Sequence, residues 1–481
     1  MQVGQLTLRG CDIGSAGMSG TIRAYCTMFT VPEDWQSPSG RRIQLKVAVV
    51  RSRGANPAPD FLVFLDGGPG GAATNDYPGI VAGFNEMRSR RNLLLIDQRG
   101  TGGSNELRCE DRGQDADAER AQREATQRQA IDRNQFDKAG FQVTLRECLA
   151  KLTPRANPEH YATTAAVRDL EAVRVALGSP QLDLIGISYG TRVAQQYAGT
   201  YPAAVRSVVL DSAVPNTLVL GTETSINLDA ALRARFDQCK ANPACARRFG
   251  DPYASMYRLR DQLRARPQSV AMRDPVTFAP IGETARAADL AMTVRLFAYH
   301  AATAALLPLT IDDALHGNYG PLLGQRKLIT DAVNDALTDG MGLSVSCADE
   351  ADLIKPRPQD ANLMLGDVMT QYMLAACEVW PRGTRSAAFH QAWKGSIPTL
   401  ILAGEFDPIT PPRYGREILG HLSNARLLLL KGQGHGLIET GCVPRLTGEF
   451  IDQLQPAAID AQCLDSLGNV PAFLNYSGAA P

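Results

Sequence analysis

The chain has 481 residues, 44% hydrophobic and 21% charged, so it exceeds one ordinary core and reads as globular: one large domain with an insertion, or two or three domains. A formal net charge of −1 excludes a global pull toward nucleic acid or an anionic membrane. No apolar run approaches the ~18 residues that span a bilayer, and residues 1–10 lack the apolar stretch of a signal peptide, as in a mature sequence or a cytosolic start.

Residues 1–50 carry alternating apolar positions ending in Ile43, Leu45, Val47 and Val49, the period of antiparallel strands. A different rhythm follows, in which continuous apolar runs break into polar or glycine-rich corners. Phe61 to Leu65 breaks into Gly67-Gly68-Pro69-Gly70-Gly71, and Leu93 to Ile96 into Asp97-Gln98-Arg99-Gly100. Leu182 to Ile187 breaks at Ser188, and Val208 to Leu210 at Asp211. Leu400 to Leu402 breaks into Gly404-Glu405-Phe406-Asp407, and Leu427 to Leu430 into Gly432-Gln433-Gly434-His435-Gly436. Such strands are buried on both faces, the mark of a parallel sheet under helices, and their polar ends converge on a site. Val167, Leu170, Val173 and Leu177 recur at helical spacing before the Leu182 strand, with Gly178 as the stop.

Residues 112–138 are dense in charge and poor in large apolar side chains, which predicts a solvated surface helix or excursion. From 216 to 395 the strand rhythm gives way to Ala-, Leu- and Arg-rich stretches at helical spacing. The expected organisation is therefore a core in two parts, 1–215 and 396–481 with an irregular tail, interrupted by a helical insertion at 216–395.

The ten cysteines are Cys11, Cys26, Cys109, Cys148, Cys239, Cys245, Cys347, Cys377, Cys442 and Cys463. None of the close Cys or His clusters of a zinc site is present, so the count points to disulfides or to reduced core cysteines. The even number and the local spacing favour disulfides and an oxidising compartment, hence secreted or periplasmic. Pairing in sequence order is the simplest of ~945 connectivities, and it is best founded for Cys239–Cys245 and Cys442–Cys463, where the intervening chain is short.

Gly186-Ile187-Ser188-Tyr189-Gly190 spells G-x-S-x-G between a strand and a helix-compatible stretch. Glycines flanking a serine at that corner permit a turn too tight for side chains and lift the hydroxyl out of the sheet. A nucleophilic hydroxyl needs a base, and the base an orienting acid. Of the six histidines only His435 sits between glycines directly after a late apolar strand. Asp407 follows the preceding strand in the required order, with Asp211 as the alternative acid and Glu405 as a secondary polar contact. Backbone N–H groups must await the developing oxyanion: that of Tyr189, and one from Gly67 or Gly68. No G-K-[ST] follows the glycines, which disfavours a phosphate cradle. Asp97 and Arg99 read as ties between loops beneath the site.

Together, the Gly-Gly-Pro-Gly loop at 67–70, Asp97-Gln98-Arg99-Gly100-Thr101-Gly102 with Ser104, the 186–190 pentapeptide, Asp407-Pro408 and Gly434-His435 resemble the α/β-hydrolase serine peptidases of the prolyl and tripeptidyl aminopeptidase group. The resemblance spans roughly 60–215 and 396–440. It implies an α/β-hydrolase fold with a mostly parallel eight-stranded sheet flanked by helices. It also implies a helical cap inserted after the sixth strand, cleavage from free peptide N-termini, and secretion for the tripeptidyl branch. Asp66 stands where many prolyl members carry His, which favours the tripeptidyl-like branch. An aminopeptidase must neutralise a substrate ammonium, so carboxylates belong in its pocket. Asp349 and Glu350, after Cys347, resemble an acidic segment of relatives, and Glu378, after Cys377, is a further candidate.

The expected activity is hydrolysis through an acyl-enzyme on Ser188, with peptide as substrate, no metal or organic cofactor, no nucleic acid and no membrane span. An esterase or lactonase using the same triad is the rival, and a catalytically silent binding protein on the same fold is a third reading.

Overall fold

The computed structural model describes residues 1–14, 20–109 and 136–479. The charged stretch expected as a surface excursion at 112–138 falls almost wholly outside these residues. A nine-stranded sheet organises the molecule. In chain order its strands are β1 (Arg9–Ile13), β2 (Ile22–Pro32), β3 (Arg42–Val50), β4 (Phe61–Leu65), β5 (Asn92–Ile96), β6 (Leu182–Ile187), β7 (Val205–Asp211), β8 (Thr399–Gly404) and β9 (Ala425–Leu430). In space they run β9-β8-β7-β6-β4-β5-β3-β2-β1. From β9 to β5 every pairing is parallel, and β3, β2 and β1 continue antiparallel. The ninth strand, beyond the eight that the resemblance implies, is the edge strand β1, fastened to β2 by the Cys11–Cys26 disulfide.

The continuous apolar runs are explained by what covers each face. Side chains alternate across a strand, so Leu184, Val208, Leu210 and Ile401 enter one core cluster with Val63 and Leu94. Their neighbours Ile185, Val209, Leu400 and Leu402 enter another with Leu62, Phe64, Leu93 and Leu95. The first cluster is closed by the helices Thr163–Leu177 and Tyr189–Thr200, the second by the helix Val443–Gln453. The helix Thr163–Leu177 stops where the sequence predicts, at Gly178 with φ 69°.

Between β7 and β8 the chain is mainly helical, from Thr224–Ala241 to Val368–Cys377. It also contains an antiparallel hairpin, Gln268–Arg273 with Pro280–Ala285, whose Val270 and Met272 face a third cluster built on Leu228, Phe236, Met256, Leu290 and Val294. The segment expected as a helical insertion divides between two cores. Its later helices, Asp339–Asp349 and Val368–Cys377, contribute Met341, Val345, Cys347 and Ala376 to the cluster of the main sheet.

All ten cysteines pair in sequence order: Cys11–Cys26, Cys109–Cys148, Cys239–Cys245, Cys347–Cys377 and Cys442–Cys463. Among the described residues no helix is long and apolar enough to cross a membrane.

Candidate active site

Ser188 stands between β6 and the helix Tyr189–Thr200 with φ 55° and ψ −123°, a backbone conformation costly for a residue with a side chain. Its glycine neighbours are obligatory. A Cβ on Gly186 would lie 2.6 Å from the Gly190 carbonyl oxygen, and one on Gly190 only 1.9 Å from that of Leu65. The turn is therefore pressed against the end of β4, where the glycine loop begins. A Cβ on Gly67 would lie 3.2 Å from Ser188 Cβ and 3.8 Å from its Oγ.

Within that loop the Gly67 N–H donates to Asp66 Oδ1 at 2.7 Å. Gly68, at φ 110°, and Tyr189, the first residue of its helix, make no backbone N–H hydrogen bond to the protein among the described residues. Of the two glycines named from the sequence, Gly68 thus keeps the free donor, while Gly67 supplies close approach. Burial, then the neighbouring Asp76 carboxyl, push the Asp66 carboxyl well above its ordinary range.

His435 and Asp407 meet at the ends of β9 and β8. His435 Nδ1 lies 2.9 Å from Asp407 Oδ2 and 3.1 Å from Oδ1, and both side chains are buried. The Asp407 carboxylate also accepts the Ile409 and Thr410 N–H groups and the Thr410 hydroxyl, each at 2.8 Å. Burial alone would raise Asp407, but the imidazole and these donors outweigh it and hold the carboxyl below 3.8. Burial alone would lower His435. The Asp407 charge outweighs it, with Asp211 adding, and the imidazole sits above 6.5.

Asp211, the alternative acid, has a different place. Its Oδ2 accepts the N–H groups of Leu437 (2.7 Å) and Ile438 (2.8 Å), and Ser212 Oγ accepts that of Gly436 (2.9 Å). Its backbone carbonyl accepts the Ser188 N–H at 2.9 Å. One strand end thus holds both the Ser188 turn and the turn that carries His435. Burial pushes the Asp211 carboxyl up to about 6. Glu405 accepts the Gly432 N–H at 2.8 Å and so braces the same histidine loop. Among the described residues Ser188 Oγ makes no hydrogen bond to His435; such contacts are often long without substrate and tighten in the complex.

Two contacts from the insertion complete the surroundings, and the sequence carries no local signal for either. The Tyr299 carbonyl accepts the His435 N–H at 2.6 Å, and its ring meets the imidazole edge-on, centroids 5.2 Å apart. A Cβ on Gly434 would lie 2.0 Å from that carbonyl oxygen, which is why glycine precedes the histidine. Thr338 N–H donates to the Gly70 carbonyl at 3.1 Å, and Leu337 Cδ2 lies 3.2 Å from where a Gly68 Cβ would be.

The carboxylates singled out for a substrate ammonium are committed within the protein. Glu350 is buried against Arg192, itself fully buried on the helix after Ser188. Arg192 also donates to the carbonyls of Pro215 and Leu218. Asp349 Oδ2 accepts the Thr163 hydroxyl at 2.5 Å, and Thr163 shares a hydrogen bond with the Tyr189 phenol at 2.7 Å. Burial pushes the Asp349 carboxyl up to about 7. Glu378 lies at the exposed surface, 2.6 Å from Lys138 Nζ and 2.9 Å from Gln142 Nε2. Removing one partner of a buried pair leaves an uncompensated charge, so Glu350→Ala lowers stability by ~3–5 kcal/mol. The urea midpoint measures this, and a midpoint within error of the parent refutes it.

Beneath the site Arg99, fully buried, pairs with both Asp169 oxygens at 2.6 Å and donates to the carbonyls of Pro32, Glu33 and His160. Asp97 accepts Thr74 N–H, Thr74 Oγ1 and Gly103 N–H. Both tie loops together, as their spacing predicts. No group of three or more His, Cys, Asp or Glu among the described residues could hold a metal.

Residues 60–441 match the model of a family described as alpha/beta hydrolase fold. A tripeptidyl aminopeptidase of Streptomyces lividans is 25% identical over 458 residues, 89% of this chain and 80% of that protein. Serine protease Hip1 of Mycobacterium tuberculosis is 24% identical over 461 residues, 87% and 82% of the two chains. Among solved structures, a proline iminopeptidase of Mycobacterium smegmatis aligns with a TM-score of 0.41 at 16% identity, covering 90% of this chain and 100% of that one. The family match runs from the start of β4 to the residues just past His435, and the chain belongs to the alpha/beta hydrolase fold family.

Proposed function

We propose that the protein is a serine exopeptidase that releases short peptides or residues from a free N-terminus through an acyl-enzyme. The observation that carries this reading is the shared anchorage of Ser188 and the His435 loop on Asp211, with His435 paired to Asp407. Ser188 Oγ attacks the scissile carbonyl, and His435 Nε2 takes the proton and later delivers it to the leaving amine. Asp407 holds the imidazole with its proton on Nδ1 and stabilises the imidazolium. The N–H groups of Gly68 and Tyr189 receive the oxyanion, and Gly67 leaves room for the substrate. Water then releases the acyl group. Asp349 and Glu350 act from beneath, supporting the nucleophile helix through Thr163, Tyr189 and Arg192. The five disulfides support residence in an oxidising compartment, secreted or periplasmic.

The base must be neutral to accept the serine proton. Because His435 sits above 6.5, kcat/KM rises with pH through a midpoint above that value. A pH–rate profile whose acid limb lies below 6.5 contradicts the assignment. Substrate class is tested with a panel of mono-, di- and tripeptidyl anilides, each with a free or an acetylated amino group. A free amine preferred by at least ~100-fold, or ~3 kcal/mol of differential transition-state binding, marks an exopeptidase. Equal rates, or turnover of esters alone, assign the triad to an esterase or lactonase instead.

A further inference from the structure

Away from the catalytic groups, a cavity of about 300 Å³ opens between the helix Thr224–Ala241, the Ala304–Pro308 stretch and the tail residues Asn469–Ala472. Its walls are mostly apolar, with Phe236, Ala305, Pro308, Val470 and Pro471 among them. Of the residues that line it only Arg235 carries a charge. That arginine is 8% exposed and poorly partnered. Among the described residues its one hydrogen bond runs from Nη2 to the Gly432 carbonyl at a long 3.4 Å, and its guanidinium lies 4.9 Å from the centre of the Phe406 ring. Glu405, the nearest acid to influence it, forms no ion pair with it among the described residues and is engaged by the Gly432 N–H. A guanidinium has five N–H donors, and those of Arg235 beyond the Gly432 contact are open to solvent rather than sealed in, so they are available to a ligand. Burial, only partly offset by Glu405, pushes its pKa down to about 10, as expected of a cation without a close partner. Every other fully or nearly buried arginine of the core described above is matched, Arg99 by Asp169 and Arg192 by Glu350.

We propose that this cavity is a binding site for a small carboxylate with an apolar body, its head group paired side-on with the Arg235 guanidinium. The planar fork of arginine matches a carboxylate in two parallel hydrogen bonds. The apolar wall suits a short branched or unbranched hydrocarbon, and the volume sits at the lower end of ligand pockets. The tail forms one wall and is fixed there: Phe473 N–H donates to the Ala305 carbonyl at 3.0 Å, and Asn469 Nδ2 to Gln238 Oε1 at 2.9 Å. The Gly432 carbonyl, three residues before His435, is the protein acceptor with which such a carboxylate competes for Arg235. The carboxylate comes either from a free acid or from the C-terminus of a short peptide.

The test is thermal unfolding of the unmodified protein against increasing 4-methylpentanoate, 4-methylpentanamide and N-acetyl-Ala-Leu. The expected result is a saturable rise in Tm with 4-methylpentanoate and none with the amide. A rise with the acetylated dipeptide as well assigns the site to peptide C-termini, and a rise with the free acid alone to small acids. Arg235→Gln is expected to weaken the response at least tenfold. Val470→Trp, which fills the cavity from the tail and leaves the arginine in place, is expected to do the same and remains informative if Arg235→Gln does not fold. Equal responses to acid and amide, no saturable response to any ligand, or an undiminished response in Val470→Trp overturns the proposal.

Discussion

Ser188→Ala removes turnover by a factor on the order of 10⁴ to 10⁶, while the protein stays folded and still binds substrate. The size of the loss follows from the role: without Oγ there is no acyl-enzyme, and what survives is water attack assisted by the Gly68 and Tyr189 donors and by positioning. The fold is preserved because alanine tolerates φ 55° no worse than serine does, and Ser188 Oγ makes no hydrogen bond within the described residues that alanine would break. A fluorophosphonate probe labels the parent and not the variant. The same experiment decides whether the scaffold is a silent binding protein, because a silent site leaves the parent unlabelled. Ordinary turnover by purified Ser188→Ala would mean that another nucleophile operates and would remove the basis of the proposed function.

Why so much of this arrangement is legible in the sequence, and where legibility stops, has a common physical cause. A strand covered on both faces is apolar along most of its length, so β4 to β8 announce themselves as runs such as Leu-Ile-Leu at 400–402, with polar residues gathered toward their ends; the edge strand β9 shows the same run although Leu429 is exposed. The tight corner at Ser188 leaves a second local signature, because only glycine fits at 186 and 190. Contacts between distant segments leave none. Tyr299 lies in an ordinary turn after the helix Ala287–Phe297, and nothing local marks its carbonyl as the partner of the His435 N–H. The acids at 349 and 350 show the opposite failure. Their pattern is visible, but the partner that fixes their meaning, Arg192, is 158 residues away from Glu350. An acidic pair that reads as a pocket for an ammonium is in the structure buried against Arg192 and Thr163, beside the helix that follows Ser188. The Gln268–Arg273 hairpin is similarly masked: burial alternates along that strand, but its inward positions include the polar Gln268 beside Val270 and Met272, and the partner strand adds only the small Ala285 to the insertion's core.

The division of labour between the two acids at the strand ends gives the second large effect. Asp407→Asn lowers kcat by about 10⁴-fold, while Asp211→Asn costs about 10-fold or less. In the first variant the amide oxygen retains the Ile409 and Thr410 N–H groups, so its NH₂ turns toward His435 Nδ1. An imidazole facing a donor must accept there and carry its proton on Nε2, the nitrogen that has to take the serine proton, so the base is lost without movement of any backbone. The same substitution removes the charge that holds His435 above 6.5, and burial then draws the imidazole downward. The residual activity of Asp407→Asn therefore extends to lower pH than that of the parent. At Asp211 the amide oxygen still accepts Leu437 and Ile438 N–H, so the turn after His435 keeps its main anchor; what is lost is a secondary charge and the acceptor of the Ser212 hydroxyl at Oδ1, which that hydroxyl meets by rotating to accept from the new NH₂. Comparing the two kcat values and their acid limbs separates an orienting acid from a loop anchor. A loss at Asp211→Asn that equals or exceeds that at Asp407→Asn would reverse the two roles.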